Sequence, residues 1–145
     1  MATKKSISNW TLFGTLIVAS LLGFALATGP DTATAQQAAP TENKGVTSTP
    51  PLTAVDLGPQ ISGMQGYQLR LRIVTVDPGG VIGLHSHKDR LGVVYVLKGT
   101  LTEHQGDVAK DYGAGNSFPD SVTHWLENKG TSPVELVVAD IFKQP

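Results

Sequence analysis

The chain contains no cysteine. That excludes disulfide stapling, thiolate metal sites and lipid attachment through a thiol. It also lacks an excess of either charge: 11 basic and 12 acidic residues give a formal net charge of −1. Without a basic patch or stripe there is no electrostatic footprint for nucleic acid, and none for an anionic membrane surface. Helical periodicity is missing too, because no segment after residue 51 repeats its apolar positions every three to four residues.

Long apolar stretches are scarce, with one exception near the start. Lys4 and Lys5 precede an uncharged run over residues 10–27, and "ATA" follows before Gln36. A positive start, an apolar core and a small-x-small site are the parts of an export signal. Residues 1–35 are therefore expected to be a signal peptide, with delivery to the periplasm or the exterior. A second small-residue site ends at Ala27, and the 18 residues of the run reach the lower limit for a membrane span, so an uncleaved anchor is the alternative. In residues 36–51 the composition turns to Thr, Ala, Gln, Pro and Gly, with too little apolar surface to offset the entropy of ordering. That segment reads as a flexible tether, and the folded domain is expected over residues 52–145.

Within that domain the apolar period is two. "QLRLRIVTV" puts Leu69, Leu71 and Ile73 on one face and Arg70 and Arg72 on the other. "VIGLHSH", "VVYVLKG", "TLTEH", "DVAKDY", "VTHWLE" and "VELVVADIF" continue the strand-like pattern, separated by "DPGG", "QGD", "GAGN" and "NKGTSP". Short strands divided by turns about every ten residues predict an antiparallel all-β sandwich or barrel. Closure would also remove the exposed strand edges that invite aggregation.

Two histidines two residues apart, His85 and His87, project from one face of a strand. Their imidazoles can reach one ion, but a pair needs a third convergent ligand to make a site. Around them stand Gly79 and Gly99, and further along Gly113, Pro119, His124 and Asn128. These positions resemble the two motifs of the cupin superfamily, G-x5-H-x-H-x(3,4)-E-x6-G and G-x5-P-x-G-x2-H-x3-N. The resemblance spans residues 79–128 and implies a double-stranded β-helix, or jelly-roll barrel. It also implies His85, His87 and His124 as ligands of a divalent metal such as iron, zinc, manganese, nickel or copper.

The chain departs from the motifs at two positions. Ser121 stands where the second motif has glycine, a change confined to a turn. Gly92 stands at the position of the first motif's glutamate, so the resemblance implies a missing carboxylate ligand. Three neutral imidazoles would leave the ion its full charge, attract anionic ligands and acidify bound water. Within the superfamily, thiol dioxygenases are similar in using three histidines without the glutamate. The fourth position then falls to solvent, Glu103 or His104. Those two alternate in facing, and if Leu101 is core then Glu103 points into the cavity and is the candidate catalytic acid or base.

Arg90 and Asp89 are placed in a loop near the histidines, where either solvation or a grip on a substrate carboxylate would suit them. Tyr95 and Trp125 are out of phase with the inward positions. Phe118 can line a pocket or fill the core, and Asn128 suits a turn. A small-molecule ligand or substrate is the expected partner, and a homodimer, with Arg70 and Arg72 on the paired surface, is a further expectation. Three functions compete on these residues: a metal-dependent enzyme of dioxygenase type, a non-catalytic module binding a metal or a small molecule, and a structural protein with vestigial histidines.

Overall fold

The computed structural model describes residues 38–144. The expected signal peptide, its alternative as an anchor and the beginning of the tether lie outside the described residues. Among the described residues all regular structure is β: β1 (Lys44–Ser48), β2 (Thr53–Asp56), β3 (Tyr67–Ser86), β4 (Gly92–Lys98), β5 (Thr100–Gln105), β6 (Val108–Gly113), β7 (Ser117–Asp120), β8 (Thr123–Glu127) and β9 (Val134–Lys143). All pairings are antiparallel, in the order β6-β5-β8-β3-β9-β4-β7, with β1 and β2 also on β3. The two ends of this order are consecutive in the chain: β6 runs through the short turn 114–116, where Asn116 N donates to Gly113 O at 3.0 Å, directly into β7. The result is a nearly closed antiparallel barrel, a double-stranded β-helix.

β3 joins the two halves. Residues 67–76 pair with β9 and residues 81–86 with β8, on the same strand edge. "DPGG", expected to end a strand, instead bends one strand of 20 residues. Gly79 supplies the bend with a φ of 67°, which side chains rarely tolerate. Asn128, 1% exposed, then locks it: its side chain donates to Val76 O and Ser132 O, and its backbone exchanges bonds with Gly79 and Gly80. An unpaired buried amide would be unfavourable, so this residue fixes one bend angle.

Two expectations are corrected by these pairings. Residues 44–48, assigned to the tether on composition, form β1 against residues 74–81, with Val46 packed on the core. Backbone ladder bonds and that one valine order a segment whose side chains alone would not. Over residues 67–76 the face of β3 that points inward is the even one. Val74 and Val76 are buried, whereas Leu69 is exposed and Leu71 and Ile73 are only half-buried outside. Arg70 and Arg72 therefore do not sit on an outer pairing surface; they point to the mouth of the barrel, where Asp140 neutralises part of their charge.

Cross-strand register stacks the interior in layers. At the mouth, Arg70, Asp140, Gly92 and Asp120 form one row across β3, β9, β4 and β7. Arg72, Val138, Val94 and Phe118 form the next, followed by Val74, Leu136 and Val96. Directly opposed residues share a face, so charge is confined to one end and the apolar floor to the other. Burying each large aliphatic of that floor is worth about 1.5–3 kcal/mol, which is what closes a barrel this small.

Candidate metal centre

His85 near the end of β3 and His87 just beyond it turn their rings to the same place, and His124 lies directly opposite His85 on β8. The three rings meet edge to face or tilted, with centroids 4.7, 4.8 and 5.0 Å apart. Each ring is turned by a bond on its Nδ1. His85 Nδ1 donates to Gly83 O at 2.7 Å, His87 Nδ1 to Arg90 O at 3.0 Å and His124 Nδ1 to Glu103 Oε1 at 2.6 Å. Carbonyl and carboxylate oxygens accept, so Nδ1 carries the hydrogen in all three rings and Nε2 presents a lone pair. Hydrogen bonds of this kind orient the histidines of metal sites.

The lone pairs converge on Asp120. Its Oδ1 is 3.0 Å from His87 Nε2 and 3.1 Å from His124 Nε2. Despite these distances neither nitrogen has a hydrogen-bond partner, and both are buried. With hydrogen on Nδ1, a carboxylate oxygen and a ring lone pair face each other as two acceptors, an arrangement that needs a cation between them. Two ligands each about 2.1 Å from one ion and roughly at right angles to each other would stand about 3.0 Å apart, which these separations match. The ligand atoms of His85, His87, Asp120 and His124 all lie within 4.8 Å of one another. The residues therefore fit a divalent ion, with three neutral nitrogens and one carboxylate.

Electrostatics agree with that division of labour. Burial, followed by the neighbouring imidazoles, holds His85 below the ordinary histidine range; burial likewise lowers His87, so both favour the neutral ligand form. Burial opposes charge on His124 as well, but the nearby Asp120 and Glu103 carboxylates outweigh it and raise its pKa. Without an ion, a proton on His124 is thus the cation these two carboxylates call for.

The fourth position is where the sequence reading differs from the structure. The structure brings Asp120 to the three imidazoles, and neither Glu103 nor His104 joins that group; an ion held by all four residues would keep a net charge of +1, not the full charge expected from three imidazoles alone. Glu103 is buried and faces inward with Leu101, yet it stands behind His124 as the acceptor for Nδ1. His104 faces outward, stacked on Trp125 at 3.7 Å and bonded to Glu127 at 2.7 Å. Asp120 was nevertheless within reach of the sequence: in "SFPD" it shares a face with Phe118, and Phe118 is core.

A cavity of about 290 Å³ opens beside the cluster, bounded by His85, His87 and Asp120. Val94, Phe118 and Val138 wall it below, and Arg72 and Arg90 flank it. The arginines gather on Asp140, which is 1% exposed. Arg70 grips it with two bonds of 2.6 and 3.1 Å, while Arg72 stands at 3.3 Å and Arg90 at 3.7 Å. Burial opposes ionisation of Asp140, but the Arg70 bonds and the surrounding guanidiniums outweigh it and hold its pKa below the usual range. Asp89 is exposed, and Tyr95 lies on the outer face.

Residues 72–140 match the family model described as a cupin domain. The barrel is a cupin domain. Two solved structures share its fold: KdgF from a Halomonas species, with a TM-score of 0.52 at 13% identity over 68% of this chain and 86% of that one, and the cupin domain of an XRE family transcriptional regulator from Enterobacter cloacae, with 0.51 at 11% over 70% and 100%. No curated protein matches the chain in sequence. In this cupin the position of Gly92 leaves no room for a side chain, since a Cβ there would stand 2.8 Å from Ala139 O and 3.1 Å from Asp140 Cβ. Its direct partners in the two neighbouring strands are Asp120 and Asp140, so carboxylates approach that place from both sides.

Proposed function

We propose that the protein is an exported cupin metalloenzyme, periplasmic or secreted, which holds one divalent metal through His85, His87, His124 and Asp120 and acts on a small organic substrate in a dioxygenase-type reaction. The observation that carries this reading is the pair of buried Nε2 atoms on His87 and His124, unpartnered and aimed at Asp120 Oδ1. Such a metal supplies Lewis acidity, or activates water or dioxygen. The chain's own part is to fix the ring tautomers through Gly83 O, Arg90 O and Glu103, to lower the charge of the centre through Asp120, and to exclude water with Val94, Phe118 and Val138. Asp120, in place of a glutamate at position 92, supports a centre of ordinary cupin charge assembled from a different strand.

Metal analysis of the purified protein tests the site, with about one equivalent expected. His87→Ala and His124→Ala should each lose most of it, and unchanged metal content in both variants would dismiss the assignment. Oxygen consumption with panels of small acids, diketones and thiols then tests catalysis. A non-catalytic binding module is the second reading, favoured by one observation: Glu103, the only inward acid besides the Asp120 and Asp140 carboxylates on β5, β7 and β9, is already bonded to His124. Bound metal without turnover of any panel member would select it.

A further inference from the structure

The arginine cluster carries more charge than its partner removes. Arg70, Arg72 and Arg90 surround a single carboxylate, Asp140, while Asp120 in the same row is turned to the imidazoles, so two of the three guanidiniums lack a carboxylate of their own. Buried or half-buried cations are stable only when paired, so the excess calls for an anion. Arg70 is satisfied, being doubly bonded to Asp140 and laid over the Phe142 ring at 4.0 Å. The other two are not. Arg72 gives one donor to Ser48 Oγ and one to Asp140, but its Nε is buried without any acceptor. Arg90 stands 3.7 Å from Asp140 and keeps a third of its side chain exposed. Both line the cavity beside the imidazoles, and Arg70 does not.

We infer that Arg72 and Arg90 form a carboxylate-binding subsite, so that the ligand of this cavity is a small organic acid. A guanidinium presents parallel N–H donors that match the two oxygens of a carboxylate, and Arg72 holds such a donor idle. Valine and phenylalanine walls select a carbon skeleton over an inorganic oxyanion. About 290 Å³ gives room for about ten water-sized groups at roughly 30 Å³ each, the scale of a short aliphatic or single-ring acid. The inference deepens the proposed function and rests on it only for the acid's role as substrate, because binding by arginine needs no metal.

Calorimetric titration of chelator-treated protein with acetate, butyrate and benzoate tests it, with benzamide and inorganic phosphate as controls. Butyrate and benzoate are expected to bind, benzamide not to bind, and phosphate to bind more weakly. Arg72→Gln should weaken benzoate at least roughly tenfold, the size of effect a lost charge-assisted bond has. Arg90→Gln should weaken it less, and as the more exposed residue it carries the test if the first variant does not fold. Metal content of either variant should equal that of the wild type, so loss of acid binding is distinguishable from failure of the metal site. Benzoate binding that is absent from the wild type, unchanged in both variants, or equalled by benzamide or phosphate would overturn the inference.

Discussion

Asp120 and Asp140 stand in the same row of the barrel mouth, separated by Gly92, and both are buried. Their surroundings differ in one respect. Asp140 faces three permanently charged guanidiniums and has its nearest bonds made, whereas Asp120 faces ring nitrogens that offer lone pairs. The first is neutralised by the fold; the second is complete only with a cation from outside. Two buried carboxylates thus divide into a structural anchor and the proposed ligand, and the groups opposite them decide which is which.

The largest effect should come from removing the anchor. Asp140→Asn would leave three guanidiniums around a neutral amide and should destabilise the protein by about 3 kcal/mol, with the solvent reaching Arg90 holding the figure at the lower end for a broken buried pair. Denaturant unfolding reads it, and wild-type stability would deny Asp140 its role. Asp120→Asn sharpens the contrast. The amide can donate to a ring lone pair, so metal-free stability should stay within about 1 kcal/mol of wild type. Metal affinity should meanwhile fall by at least the roughly 10- to 100-fold seen when an outer partner is lost. Equal losses of stability in the two variants would erase the distinction.

Acid gives the smallest effect. Burial raises the Asp140 pKa but its arginine partners lower it by more, so the folded value lies below the ordinary 3.8. A depressed carboxylate stabilises the folded state at pH above 3.8 and loses that contribution as pH falls from there through its lower folded value. Thermal midpoints of the wild type should decline across that window, while Asp140→Asn should lack this component. Parallel profiles in the two proteins would contradict the assignment.

Much of the fold was legible because strands repeat every two residues. "VVYVLKG" and "VELVVADIF" alternate as observed, with Val94, Val96, Leu136 and Val138 inside. Periodicity separates two faces but cannot say which one turns inward, and "QLRLRIVTV" shows the consequence: the leucine face read as apolar lies outside, while the arginine face enters the mouth because Asp140 waits across the ladder. Composition likewise missed β1, whose order comes from pairing with β3. Glu103 was correctly oriented by its phase with Leu101, yet its work, holding His124 Nδ1, depends on a contact between strands.

The sequence by itself determined a β architecture and a pair of histidines on one strand face, since side-chain alternation and turn residues are local properties of the chain; His124 joined them only through the resemblance to the cupin motifs. Only the tertiary structure decided that Asp120 joins them, that Gly92 has no space for a carboxylate, and that Arg72 and Arg90 flank the same cavity. Those three facts depend on register between β3, β9, β4 and β7. Register is set by the packing of the whole barrel, and no short stretch of sequence encodes it.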